Sequence, residues 1–152
     1  MSAPPQQNGF LEELKSAEAE MRDRMMKYTA AWQAGDLDTI MSYFVDEGLD
    51  YSDYGIMALH MDKKALTEAF KQMATLFGDM KLETTSVRGA VDFCVWECVF
   101  EFTLKEDMPG VPYQKGERCK LFSASTIEWN AEGKIVKERD YAVWAKPAVK
   151  HG

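Results

Sequence analysis

Histidine is scarce in this chain of 152 residues, limited to His60 and His151, and cysteine occurs only as Cys94, Cys98 and Cys119. Two histidines so far apart do not make a zinc site of ordinary composition. Cys94 and Cys98 fall on one extended segment, about 13 Å apart at the rise of a strand, which is too far for a disulfide. With an odd number of thiols, the expectation is reduced cysteines in a reducing compartment. Cys98 has no histidine near it in the pattern, so it reads as a buried, inert thiol rather than a nucleophile.

Other absences are as informative. There is no phosphate-binding glycine loop, no dinucleotide fingerprint and no nucleophile-elbow serine, so any chemistry is expected to need no cofactor and no metal. No apolar run approaches the roughly 18 residues that a bilayer crossing requires, and the opening segment has neither a basic start nor an apolar stretch. A cytoplasmic location without membrane contact is the expectation. The net charge is −7 and the isoelectric point about 4.9. Lys and Arg nowhere cluster, so a phosphate backbone is repelled and nucleic acid is not an expected partner.

What is present is a pattern change. From Phe10 to Ala34, Leu11, Leu14, Ala17, Met21, Met25, Tyr28, Ala31 and Trp32 recur at helical spacing. Gly35 ends this helix, and Asp36 caps a short second one through Phe44. Leu49 to Tyr54 reads as a short strand, followed by a loop carrying His60, and Asp62 caps a third helix with Leu66, Phe70, Met73 and Phe77 inside. Beyond Gly78 the period becomes that of strands: Met80 to Val87, Phe93 to Lys105, Arg118 to Asn130 and Lys134 to Lys146, with a hairpin turn over residues 131–133. Helices first and antiparallel strands after them specify an α+β layer fold, with one domain over residues 10–147 and tails over 1–9 and 148–152.

The last strand carries the feature that points to function. Side chains alternate along it, so Val136, Glu138, Asp140, Ala142 and Trp144 share one face while Lys137, Arg139, Tyr141 and Val143 share the other. A carboxylate among apolar neighbours is either paired and structural or desolvated, with a raised pKa suited to proton transfer. The middle strand turns Trp96, Cys98, Phe100 and Phe102 one way and Glu97 and Glu101 the other. The outward face of the sheet collects Val95, Val99, Ile127, Trp129 and Val143, more apolar surface than a monomer usually shows, so a twofold homodimer through that face is expected.

The order of elements, with Trp-Gln-Ala-Gly-Asp-Leu-Asp over residues 32–38 at the first corner, Glu132-Gly133-Lys134-Ile135 at the last turn and Glu138-Arg139-Asp140-Tyr141 after it, resembles the SnoaL-like branch of the nuclear-transport-factor-2-like superfamily. The resemblance covers residues 12–146. It implies a cone of three helices packed on a curved antiparallel sheet, enclosing a pocket into which an Asp on the last strand points. Asp140 stands at that position and is the first choice for general base or acid. The resemblance further implies Asp50 as a partner of opposite protonation, with Ser52 and Tyr54 offering hydrogen bonds to a developing enolate oxygen and His60 at the mouth. Trp32, Trp96, Cys98, Phe100, Phe102, Phe122 and Glu138 would form the substrate-binding wall.

Relatives of the limonene-epoxide-hydrolase kind support their Asp with an Arg and a second Asp on the middle strand, where Cys98 and Phe100 align here. Those of the scytalone-dehydratase kind use paired histidines. Neither set is present. The expectation is then an isomerase, cyclase or dehydratase that needs no cofactor, acting on an apolar oxygenated small molecule such as a polyketide or terpenoid intermediate. The alternative is a non-catalytic ligand-binding or dimerisation module of the same fold. The loop from Lys105 to Glu117 is longer than its hairpin needs and is either a lid or surface slack.

Overall fold

The first helix, α1 (Pro5–Ala34), turns Met21, Met25, Tyr28 and Trp32 inward at steps of four, three and four residues, and all four are buried. The protein is described here by a computed structural model covering residues 5–146. Of the tails expected over residues 1–9 and 148–152, residues 1–4 and 148–152 lie outside the described residues, while residues 5–9 belong instead to α1, which begins ahead of Phe10 at a proline that the first helical turn tolerates. Gly35, at φ +65°, supplies the left-handed residue that stops it. Asp36 then caps α2 (Leu37–Ser42) by accepting from the Thr39 N–H at 3.1 Å. Asp62 does the same for α3 (Lys63–Leu76) through the Ala65 N–H at 2.8 Å.

Six strands make one sheet: β1 (Asp50–Asp53), β2 (Ala58–Met61), β3 (Phe77–Ala90), β4 (Phe93–Leu104), β5 (Arg118–Trp129) and β6 (Ile135–Trp144), in the order β2-β1-β6-β5-β4-β3. The residues around His60, expected as a loop, are strand β2 at the sheet edge. The sheet is also not wholly antiparallel, because β1 lies parallel to β6. Register breaks in β3 between Gly78 and Lys81 and between Thr84 and Ser86 bend the long outer strand. The bent sheet curls over α1 and α3 to form a cone.

The core between sheet and helices is largely aromatic. Tyr28 meets Trp32, Tyr43, Phe44, Trp96 and Trp129 edge to face, with ring centroids 5.3 to 6.3 Å apart. Trp129 is capped by the Arg24 guanidinium, 4.9 Å from its ring centre. Ile127 and Trp129, expected on the outward face, are instead buried in this core. The inward residues of β5 are the odd-numbered ones, which puts Phe122, expected in the pocket, on the outer face, 46% exposed.

A smaller apolar cluster sits at the wide end of the cone. Phe77 stacks on Phe102 at 3.9 Å, and Met108, Val111 and Tyr113 of the 105–117 loop pack with Trp144 around it. Lys105 N–H donates to Leu76 O at 2.8 Å at the start of the loop, and within it Lys115 N–H donates to Asp107 Oδ1 at 2.7 Å.

Candidate functional site

Asp140 is placed by three neighbouring strands. Antiparallel pairing sets it opposite Ser125 of β5, and parallel pairing sets it beside Asp53 of β1, with Tyr51 beside Glu138 one step away. Side chains at these positions share the inner face. Ser125 Oγ donates to Asp140 Oδ1 at 2.6 Å, and the Tyr51 hydroxyl donates to Oδ2 in a very short hydrogen bond. Each carboxylate oxygen therefore holds one O–H donor, and among the described residues no cation contacts it.

These residues form the inner end of a two-chamber pocket. The inner chamber, about 80 Å³, is lined by Trp32, Tyr51, Asp53, Trp96, Phe100, Phe102, Ser123, Ser125, Glu138 and Asp140, among others. The outer chamber, about 220 Å³, shares Tyr51, Asp53, Phe70, Phe77, Phe102 and Ala142 with it and adds Ile56, Met61, Met108 and Trp144. Neither wall includes a lysine, arginine or histidine. The inner chamber is apolar except for hydroxyls and carboxyls at its floor.

Burial with no cationic partner governs the protonation of that floor. Burial pushes the Asp140 carboxyl up to about 6, against the pull of the Ser125 and Tyr51 hydrogen bonds. Burial, reinforced by the charge of Asp140, holds Glu138 well above the usual carboxylate range. Burial also raises Asp53, while the Gly55 N–H, donating to its Oδ1 at 2.8 Å, opposes the rise. The Tyr51 and Tyr28 hydroxyls are raised too, by burial first, so both stay protonated and remain donors.

The other expected site residues divide between inside and outside. Trp96, Phe100, Phe102 and Glu138 lie on the faces that strand alternation gives and line the pocket, and Trp32 of α1 lines it with them. Cys98 shares their face but is packed in the core without lining the pocket, and burial drives its thiol up to about 12. Such a thiol is not a nucleophile.

Asp50, Ser52 and Tyr54, expected inside, and His60, expected at the mouth, lie on the opposite face. Asp50 forms an ion pair with Arg139 and meets His60 Nδ1 at 3.0 Å, and the hydrogen bond from Arg139 holds its carboxyl below the ordinary value. The Ser52 hydroxyl accepts from the His60 backbone N–H at 2.9 Å. Tyr54 lies against Tyr141 on the exposed side, with ring centres 4.9 Å apart. The residues missed were Tyr51, Asp53 and Ser125. Among the described residues, no group of three His, Cys, Asp or Glu is arranged to hold a metal ion.

A cone of helices on a bent sheet, closed around a buried carboxyl in an apolar pocket, defines a nuclear-transport-factor-2-like α+β protein with a candidate acid–base site. The family model of SnoaL-like polyketide cyclases matches residues 22–143, and the chain belongs to that family. It is 30% identical over 125 residues to the cyclase aurE of Calcarisporium arbuscula, across 82% of this chain and 88% of that one.

Among solved structures, AclR from Streptomyces galilaeus superposes with a TM-score of 0.71 at 18% identity, covering 84% of this chain and 81% of that one. A SnoaL-like polyketide cyclase from Agrobacterium tumefaciens superposes with a TM-score of 0.67 at 13% identity, covering 81% and 91%. At such identities these structures support the fold alone.

Proposed function

We propose that the protein closes a ring in a neutral, apolar molecule bearing several carbonyl groups, by acid–base catalysis from its own side chains, as a cyclase of secondary metabolism. The observation that carries this reading is Asp140: a carboxyl at the floor of an apolar chamber, held by two hydroxyl donors and with its pKa near 6. At neutral pH it is mostly ionised yet basic enough to take a proton from carbon next to a carbonyl. The Tyr51 and Ser125 hydrogen bonds aim it. Trp32, Trp96, Phe100 and Phe102 hold the chain folded so that the enolate carbon meets its target carbonyl, and they keep water from quenching it. The family and the aurE relative, a cyclase by name, favour ring closure over simple isomerisation.

The test is proton exchange on a simple apolar ketone, β-tetralone, in heavy water, with deuterium uptake next to the carbonyl followed by proton NMR. Wild type should accelerate uptake, and Asp140→Asn should lower the acceleration by about 100-fold or more. Equal uptake by both would leave a ligand-binding role for the pocket.

The same proposal extends to assembly. Val99, Phe122 and Val143 are consecutive cross-strand neighbours on the outer face, with Tyr141 and Tyr54 alongside, and we propose that a second copy of the chain covers them. Sedimentation should give a dimer for wild type and a monomer for Phe122→Glu. A monomeric wild type would refute this.

A further inference from the structure

Glu138 has no task in the mechanism so far, yet its burial is extreme. It is 1% exposed, shares its face of β6 with Asp140 two residues on, and lines the inner chamber beside it. Tyr28, at the centre of the aromatic core, donates its hydroxyl to Glu138 Oε2 at 3.3 Å. Arg139, next in the chain, offers no charge to this side. Its guanidinium turns to the other face, where it is taken by the Asp50 carboxylate and by the backbone carbonyls of Asp50 and Glu138.

Among the described residues, the titratable groups that face the Glu138 carboxyl are neutral or acidic, and the Arg24 guanidinium of α1 is engaged over the Trp129 ring and by the Val91 carbonyl. Tyr28 comes from α1, Tyr51 and Asp53 from β1, Cys94 and Cys98 from β4 and Asp140 from β6, while β5 presents Ser125 and Ile127 at the neighbouring positions. A carboxylate stripped of water with no cation to face it takes up a proton instead of staying charged. Two carboxyls in contact in such a place cannot both ionise: burial raises both, the Ser125 and Tyr51 hydrogen bonds hold Asp140 the lower of the two, and the charge of Asp140 drives Glu138 further towards the neutral form.

We propose that Glu138 is the acid partner of Asp140: the pair holds one proton, carried on Glu138, and delivers it to the carbonyl oxygen of the substrate as the ring closes. This rests on the reading of Asp140 as the base. In the step, the C–H bond beside one carbonyl breaks and its proton goes to Asp140, while the electron pair forms the new carbon–carbon bond to a second carbonyl carbon. The π pair of that carbonyl moves to its oxygen, which takes the proton from Glu138. Asp140 then passes its proton to Glu138 across their contact, and the pair is back in its starting state with nothing consumed. The substrate class follows from the same pair. A floor of carboxyls with no cation on either chamber wall admits a neutral polycarbonyl and repels a ligand whose reacting end is anionic.

Two measurements test it on the full chain. Carboxyl-carbon NMR of wild type at about pH 7 should find Glu138 protonated, and Asp140→Asn should lower the Glu138 midpoint by removing the neighbouring charge. Ring closure of a phenyl-substituted δ-diketone to its cyclic aldol should then fall by about 30-fold or more in Glu138→Gln. The same variant should lose the fall of the closure rate at alkaline pH, since the group that must stay protonated is gone.

A Glu138 ionised at neutral pH in wild type overturns the proposal without any substrate. So does a Glu138→Gln protein that closes the ring at the wild-type rate, or one that keeps the fall of the closure rate at alkaline pH. Exchange indifferent to Asp140→Asn strikes the base assignment instead, which keeps the two failures apart.

Discussion

If Asp140 is held in a place that suits a neutral acid, removing its charge should make the protein more stable. An aspartic acid with an ordinary value of 3.8 and a folded value of about 6 favours its protonated form in the fold by about two pKa units, or about 3 kcal/mol. The sign follows from proton binding. Between the two values the folded chain holds more protons than the unfolded one, so stability falls as pH rises through that window. Above the folded value the full deficit is present.

Asparagine removes this deficit, but it weakens the charge-assisted hydrogen bonds from Ser125 and Tyr51, at a cost of about 1 to 2 kcal/mol. The net expectation for Asp140→Asn is a gain of about 1 to 2 kcal/mol at about pH 8, or roughly 2 to 8 °C in Tm for a chain of this size. At about pH 4, where the wild-type group is already neutral in the fold, the variant should be no more stable than wild type. Because Glu138 and Asp140 titrate together, the midpoint of the change belongs to the pair. Thermal and urea unfolding of both proteins at the two pH values reads this directly. A variant less stable than wild type at about pH 8, or a difference that does not vary with pH, would refute the reasoning.

Other substitutions separate the groups around the site. Tyr51→Phe removes one of the two donors that favour the Asp140 carboxylate and should raise its midpoint by about one pKa unit. Its exchange rate should then fall at neutral pH and recover at alkaline pH, as a pH–rate profile would show. Asp50→Asn should leave β-tetralone exchange within about twofold of wild type, since Asp50 faces away from the pocket. Because Arg139 depresses the Asp50 pKa, the stability from that pair is present above about pH 4 and lost as pH falls through the lower folded value, so Asp50→Asn should flatten the acid end of an unfolding profile. Gly89→Ala should lower stability by about 2 kcal/mol or more in denaturant unfolding, because at φ +148° its new Cβ would sit 2.1 Å from the Phe93 carbonyl oxygen.

The sequence pattern was a good guide where one face of a strand is plainly apolar. In β4, Trp96, Phe100 and Phe102 alternate with Glu97 and Glu101, and in β6 Glu138 and Asp140 alternate with Lys137 and Arg139, so both inward faces could be read directly. The helix ends were legible for a similar reason: Asp36, Asp62 and Gly35 each act through local geometry that the chain itself specifies.

Strands β1 and β5 were misread because their patterns do not choose a face. The run Asp50-Tyr51-Ser52-Asp53-Tyr54 puts an acid and a tyrosine on each side, and its orientation is set by parallel pairing with β6, a contact nearly ninety residues away in sequence. In β5, Phe122 lies outside and Ser123 and Ser125 lie inside, the reverse of what hydrophobicity suggests. The apolar side chains of Cys119, Leu121, Ile127 and Trp129, all at odd positions, were the signal that could have corrected it. Counting pairs back from the turn would not have done so, because a register break between Glu128 and Trp129 shifts the pairing by one residue. That single shift sets Ser125 opposite Asp140. Pocket residues are also where polar groups stand in core positions for the sake of chemistry, so hydrophobic patterning fails there first.

The account stands most directly on the protonation of Asp140. Its titration by carboxyl-carbon NMR, with the resonance assigned by its loss in Asp140→Asn, should give a midpoint near 6. A midpoint at or below the ordinary value of 3.8 would mean a solvated or ion-paired carboxylate, and would contradict the desolvated acid–base site described here.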